Sequence, residues 1–245
     1  MLASYQRGLR HGLPIALGYL SVSFAFGIQA TSLGLTPLQA VMISFFNVTS
    51  AGQLAGLQLM AADAGLAEMA LTQLTINLRY ALMSLSLSQK LDDTMTTPHR
   101  LLLSFCNTDE VFVVASQQPG KVGKAYLYGL TNGPFIGWVL GTALGALAGG
   151  LLPKSVTDAL GIAIYGMFIA IVLPPFRKSR QERFVVLIAV AMSCMFEFLS
   201  FFSFISGGFR IILCAVTASA LGAWLMPVPP DASQDESEKE QEALD

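Results

Sequence analysis

The sequence predicts an all-α membrane protein, a polytopic transmembrane helix bundle of seven or eight segments. Three observations carry that prediction. First, 53% of the 245 residues are hydrophobic and only 12% are charged, about half the charged share of a soluble domain. That leaves too little charge to coat a water-facing surface. Second, the apolar residues fall into runs near the roughly 20 residues that cross a bilayer core. Third, a few costly polar groups sit deep inside those runs, where only a bundle interior or a water-filled cavity tolerates them.

The runs cover approximately 13–31, 38–62, 65–88, 101–116, 125–150, 156–175, 184–205 and 208–227. Arg7, Arg10 and His11 precede the first run in the manner of a secretory signal. Because that run leads directly into further membrane segments, it reads as the first span. Gly34 to Pro37, Gly149 to Pro153, Pro174 with Pro175, and Ser206 to Gly208 supply turn signals between segments. The fourth run is short and interrupted at 107–110, so a broken helix is expected there. Tyr126, Tyr128 and Trp224 lie near segment ends, where aromatic belts form. Cys106, Cys194 and Cys214 sit in apolar runs and read as small buried hydrophobes without disulfides. Residues 1–12 form a cytoplasmic or interfacial start, 13–227 the transmembrane domain, and 228–245 a disordered acidic cytoplasmic tail.

Lys and Arg in the loops set orientation. If all eight runs span from a cytoplasmic N-terminus, Arg7, Arg10, Lys121, Lys124 and the basic 177–183 loop lie inside, and Lys90, Arg100, Lys154 and Arg210 outside. If the fourth run does not span, an external N-terminus is equally well supported. Both readings place the 177–183 loop and the C-terminus in the cytoplasm.

Pro14 followed by a glycine-spaced run and Pro37 is loosely echoed by Pro134, a glycine-spaced run and Pro153, the mark of a weak inverted repeat. The second run of that pair carries a ladder, Gly129, Gly133, Gly137, Gly141, Gly145 and Gly149. Small residues at this spacing let another helix approach to backbone contact. A step of four drifts about 40° per repeat on a helix of 3.6 residues per turn, so the ladder winds around its helix.

Arg79 is the most informative single residue. A charge at its depth costs roughly 2.5–3.5 kcal/mol on insertion scales. It reads either as an anion site, with Asn77 nearby on the same helix, or as the ion-pair partner of Asp109, Glu110 or Glu197. In the interruption, Asn107 with Glu110 three residues on fits a helix N-terminal capping pattern. The alternative is a half-helix at membrane depth, with Asn107 and Thr108 facing an anion and Asp109 or Glu110 binding an amine or carrying a proton. Asn47, Ser50 and Gln53 form a polar cluster in the second run, either bonding across helices or lining a substrate path. Glu197, in a Phe-rich run, is a second candidate proton carrier. Arg79, Asn77 and residues 107–110 are expected to line one polar cavity near mid-membrane, with an apolar ligand side chain against residues such as Phe24 and Phe46.

Standard catalytic constellations are missing. His11 and His99 flank segments, no cysteine pair has metal spacing, and no Gly-Lys-Ser/Thr phosphate loop occurs. A basic stripe for nucleic acid is absent as well. The chain reads as a non-enzyme without metal or cofactor.

At these same residues the sequence resembles the AzlC-type branched-chain amino acid permeases, over about Gly8 to Trp224. The resemblance rests on Gly12-Leu13-Pro14-Ile15, Phe24-Ala25-Phe26-Gly27, Asn77-Leu78-Arg79 and Thr108-Asp109-Glu110-Val111-Phe112. The chain departs from the family pattern where Tyr80 replaces a histidine and Met83 a tyrosine, and where Ser50-Ala51-Gly52-Gln53 stands for Gly-Ala-Ser-Gln. The resemblance implies a secondary transporter subunit in the inner membrane that exports branched-chain or similar hydrophobic amino acids. It also implies a small AzlD-type membrane subunit as partner. Transport of another small carboxylate-bearing solute and a non-transporting scaffold are the competing readings; a membrane-embedded enzyme is a more distant one.

Overall fold

The glycine ladder finds its partner inside the chain. In the computed structural model, which describes residues 2–149 and 179–226 except Ser203 with isolated positions between, helix α1 (Leu2–Ser32) lies against α7 (Lys124–Ala148) along most of its length. A Cβ at Gly129 would strike the Tyr5 carbonyl, one at Gly137 would lie 2.5 Å from the Ala16 carbonyl oxygen, and one at Gly145 would strike the Phe24 carbonyl. Gly141 faces Leu20 and Ser23, Gly149 faces Thr31, and a Cβ at Gly133 would lie 3.6 Å from the Ala16 side chain. The reciprocal small residues of α1 are Gly8, Gly12, Ala16, Ser23 and Gly27, with Gly8 against Tyr126 and Gly27 against Thr142. The two helices therefore run parallel. The likeness between Pro14 of α1 and Pro134 of α7 relates parallel helices and is not an inversion.

The chain divides into two compact units, 1–168 and 169–245. In the first, α1, α7 and α4 (Leu66–Gln89) are the long elements; 24 to 31 residues at 1.5 Å each give about 36–46 Å, enough for a bilayer core. Between them lie two pairs of short helices. Thr36 and Gln39 form a capping box that starts α2 (Pro37–Phe46), which breaks at 47–49 and resumes as α3 (Ser50–Ala61). Thr96 precedes α5 (Thr97–Ser104), which breaks at 105–108 and resumes as α6 (Asp109–Ser116).

Each pair enters and returns at one end. Ser44 of α2 bonds Thr142 and the Asn47 carbonyl accepts from Trp138, so α2 descends along α7. Thr49 bonds Tyr80, Gly52 bonds Gln73 and Gly56 packs near Met69, so α3 climbs back along α4. In the second pair His99 bonds Tyr128 near the start of α7, Asp109 pairs with Arg79, and Lys90 at the end of α4 bonds the Ser116 carbonyl. The hairpins come from opposite ends and meet level with Tyr19, Arg79 and Trp138, near the middle of the long helices. The inverted arrangement resides here: each hairpin opens on Thr and Pro and turns at an aromatic residue, an Asn and a Thr at the N-cap position. Run 38–62 is thus broken as well as 101–116, and each arm is too short to cross a bilayer core by itself. Eight to twelve residues give about 12–18 Å, half the core.

This changes the loop arithmetic. Arg7, Arg10, Lys90, Arg100, Lys121 and Lys124 all lie at the end where α1 and α7 start and α4 finishes. The opposite end of this unit has no Lys or Arg among its described residues, only Asp63 and Glu68. The eight-span reading, which put Lys90 and Arg100 opposite Arg7, is overturned because the α2–α3 pair returns to the end it came from.

In the second unit, α8 (Arg180–Phe198) and α9 (Gly207–Leu225) pack as an antiparallel pair through Gly222 against Val185. The C-terminus of α9 therefore lies at the Arg180 and Arg183 end. Among the described residues α1 and α9 meet a length-and-hydropathy test for a membrane span. Run 156–175, apart from isolated positions, and the tail 228–245 lie outside the described residues.

Candidate functional site

The second hairpin's tip gathers the charged groups of the bundle centre. α6 begins at Asp109 with Thr108 as N-cap, and no side chain caps its first turn. Asp109 and Glu110 occupy that turn instead, where a negative charge meets the positive end of the helix dipole. Arg79 of α4 reaches across to Asp109 at 2.9 Å, with both side chains a little under half exposed. Its guanidinium also bonds the Tyr80 hydroxyl at 3.0 Å and lies 4.8 Å from that ring's centre. On the other side of the tip, the Tyr19 hydroxyl stands 2.6 Å from Thr108 Oγ1 and 2.5 Å from Glu110 Oε2. A hydroxyl has one proton and an ionised carboxylate only accepts. Tyr19 therefore donates to Glu110 and accepts from Thr108.

Two links tie this tip to the first one. Tyr80 donates to Thr49 Oγ1 at 3.3 Å, which completes a chain Asp109–Arg79–Tyr80–Thr49. The Tyr19 ring meets Trp138 edge-on at 5.2 Å, and Trp138 Nε1 donates to the Asn47 carbonyl at 3.3 Å. Phe45 and Phe105, one from each hairpin, both pack edge-on against Phe135. The N-termini of α3 and α6 are thus linked at mid-bundle through Arg79 and Tyr80 of α4. Only α6 carries acids in its first turn; α3 carries none. An incoming anion meets its own charge at α6 and an unneutralised helix end at α3.

The remaining expected residues divide among three places. Gln53 is fully buried and donates to Ser44, which bonds Thr142, in a network between α2, α3 and α7 that leaves the Gln53 side-chain oxygen without a partner. Asn77 donates to Gln73, which holds the Gly52 carbonyl, on the α3 side of α4. Ser50 starts α3 and is half-buried; Asn47 supplies its carbonyl to Trp138. Asn107 turns the other way, donating to Ser84 at 2.9 Å beside a separate cavity. The single shared cavity is therefore not observed as such: Arg79 meets Asp109, while Asn77 and Asn107 face different neighbours. The capping expectation shifts by one residue, because Thr108 and not Asn107 occupies the N-cap.

Glu197 pairs with Arg210 at 3.3 Å within the second unit, which replaces the Arg79 pairing considered above. Tyr126 is buried against His11, while Trp224 is exposed as an interfacial residue would be. Cys106 and Cys214 are half-buried and Cys194 is exposed, so burial within the bundle is not common to all three. The site's unforeseen members are Tyr19, Thr49, Tyr80, Ser84 and Trp138. Their signal was depth: Tyr19 and Trp138 sit mid-segment, away from the interfaces that aromatic belts favour.

A bundle with two half-length hairpins meeting over an arginine–carboxylate pair defines a class, the polytopic membrane proteins with broken helices at mid-membrane. The comparisons specify it. The model of the family described as AzlC protein matches residues 14–152. The chain is 31% identical over 186 residues to the inner membrane protein YgaZ of Escherichia coli, covering 73% of this chain and 76% of that one. It is 32% identical over 224 residues to a membrane protein of Archaeoglobus fulgidus, covering 91% and 95%. It is 21% identical over 181 residues to the branched-chain amino acid transport protein AzlC of Bacillus subtilis, covering 74% and 71%. No solved structure matches the chain. The chain belongs to the AzlC family, membrane proteins associated with branched-chain amino acid transport.

Proposed function

We propose that this chain is the large subunit of a secondary transporter that exports branched-chain or similar hydrophobic amino acids across the inner membrane, together with a small AzlD-type subunit. The observation that supports this reading most is the linkage of two half-helix N-termini beside Arg79, Asp109 and Glu110 at mid-bundle. A zwitterionic substrate needs a cationic or N–H-rich end and an acceptor end. The first turn of α3, which carries no acid and where the Thr49 cap takes only the Gly52 N–H, suits the carboxylate, with Arg79 linked to it through Tyr80. Glu110, held by Tyr19, suits the ammonium group or a coupling proton, and Asp109 sets the charge of Arg79. Gln53, Asn47 and Asn77 hold the first tip in shape. The ladder glycines serve the α1–α7 contact, so the partner subunit would dock on another face.

The basic end of the first unit is the cytoplasmic one under the positive-inside rule, which places the N-terminus inside. The same rule applied to Arg180 and Arg183 places the C-terminus inside. The test is uptake of labelled leucine, valine and isoleucine into inverted vesicles containing both subunits. Arg79→Lys should lower it at least tenfold, because an ammonium lacks the planar fork that pairs with carboxylates. Wild-type uptake by that variant would reject the site. In intact cells, a cysteine replacing Asp63 should be labelled by an impermeant thiol reagent and one replacing Thr94 should not; the reverse would reject the orientation.

A further inference from the structure

A cavity of about 200 Å³ lies between α4, α5, α6 and α7, away from the Arg79–Asp109 pair. It runs from Thr97 and Arg100 at the basic end of the unit to Asn107 at the tip of the second hairpin. Its walls are mainly aliphatic, with Leu87, Met95, Leu103, Val111 and Leu127 all at least nine-tenths buried, and no carboxylate among the described residues lines it. At its inner end Asn107 is 6% exposed, and its side-chain oxygen has no hydrogen-bond partner while its nitrogen is held by Ser84. A buried acceptor left open costs free energy until a donor reaches it. An aliphatic chamber with one unmatched acceptor is complementary to a small molecule that joins an N–H donor to an alkyl group. Arg100 at the opposite end supplies a positive field that favours a carboxylate-bearing visitor, with its Nε held by the Met95 carbonyl.

We propose that this cavity is the loading site at the basic end of the bundle: the short aliphatic side chain of the amino acid lies among Leu87, Met95 and Leu127, and its ammonium group donates to Asn107 Oδ1. The inference rests on the transport reading above and deepens it. It moves the side-chain pocket away from Phe46, which is 64% exposed and faces outward. Asn107 and Thr108 belong to one turn, so the cavity and the tip that bears Asp109 and Glu110 share a wall segment on its two sides. The chamber's size, set by Leu127 and Met95, becomes the specificity device. A single methylene in such a pocket discriminates substrates by roughly 10–200-fold.

The experiment uses the full chain with its partner subunit in inverted vesicles and measures uptake of valine, leucine and phenylalanine. Leu127→Ala and Met95→Ala should each raise the phenylalanine-to-valine ratio at least tenfold, and Ser88→Trp, which fills the chamber from α4, should exclude leucine before valine. Asn107→Leu should raise the KM for all three substrates at least tenfold. Unchanged ratios in variants that elute as folded protein would overturn the chamber's role while leaving amino acid transport intact. Absence of uptake of any amino acid by the wild-type protein would overturn both readings. Native mass spectrometry supplies a further arm: a retained lipid lost on Ser88→Trp, with transport unaltered, would assign the cavity to an acyl chain and reject the proposal.

Discussion

The two hairpins are built alike and furnished differently. Both open on Thr and Pro, and both turn at an Asn with a Thr at the N-cap position of the returning helix, where only Thr49 caps with its side chain. The first encloses its polar groups: Gln53, Ser44 and Thr142 bond one another out of contact with any charge, and Gln73 closes on the Gly52 carbonyl. The second presents charge, with Asp109 on Arg79 and Glu110 on Tyr19, all partly accessible. One backbone device therefore serves two ends. A broken helix at membrane depth must have its freed backbone groups satisfied by protein or water. The first hairpin meets that demand with neutral side chains and becomes an anchor. The second meets it with ionisable ones and becomes the place where a charged ligand or proton can exchange.

The sharpest challenge to this comparison is the frame both hairpins share. Gly137→Leu would set a side chain where only 2.5 Å separates the Cβ position from a backbone carbonyl, so α1 and α7 must part. We expect a loss above about 4 kcal/mol, in the range reserved for disrupted cores, read as loss of monodisperse protein on size exclusion. Survival of a folded, active variant would show that the helices need no backbone contact.

The next test separates charge from fold at the second tip. Arg79→Ala should abolish transport, by over a hundredfold, and lower stability by about 2 kcal/mol as Asp109 loses a charged hydrogen bond. The double variant Arg79→Ala with Asp109→Ala should recover most of the thermal midpoint and none of the transport. Recovery of both would make the pair purely structural.

At the first tip the pattern should reverse. Gln53→Leu leaves Ser44 without its donor and should cost about 1–3 kcal/mol, seen as a lower thermal midpoint, with KM for leucine unchanged. A KM shift without a stability change would place substrate at the anchor and erase the distinction between the hairpins. The smallest effect is expected for Tyr19→Phe. It removes the hydroxyl between Thr108 and Glu110, and transport should fall about fivefold, near 1 kcal/mol, with the midpoint almost unmoved. A large drop in the midpoint would show that Tyr19 braces the tips.

Much of this was legible in the chain. Continuous apolar runs of about 20 residues and a 12% charged share determine an all-helical membrane bundle, because backbone groups in a bilayer must pair within the protein and runs of that length and pattern do so as helices, not as alternating barrel strands. The glycine ladder announces a close helix contact, and Arg79 with residues 107–110 announces a broken, polar centre, since nothing else repays the cost of such groups at depth. The ladder's partner, though, is chosen by the reciprocal spacing of Gly8, Gly12, Ala16 and Gly27 more than a hundred residues away. Two 8- to 12-residue helices joined by a break carry the same mean hydropathy as one continuous span. Whether run 38–62 crosses or turns back is therefore decided by tertiary contacts, Ser44 to Thr142 on one arm and Gly52 to Gln73 on the other. Those contacts bring all the described cationic loop residues of the first unit to one end. They also send Asn107 toward the cavity and Asp109 toward Arg79, because consecutive residues at a turn face apart and only the surrounding helices determine what each one meets.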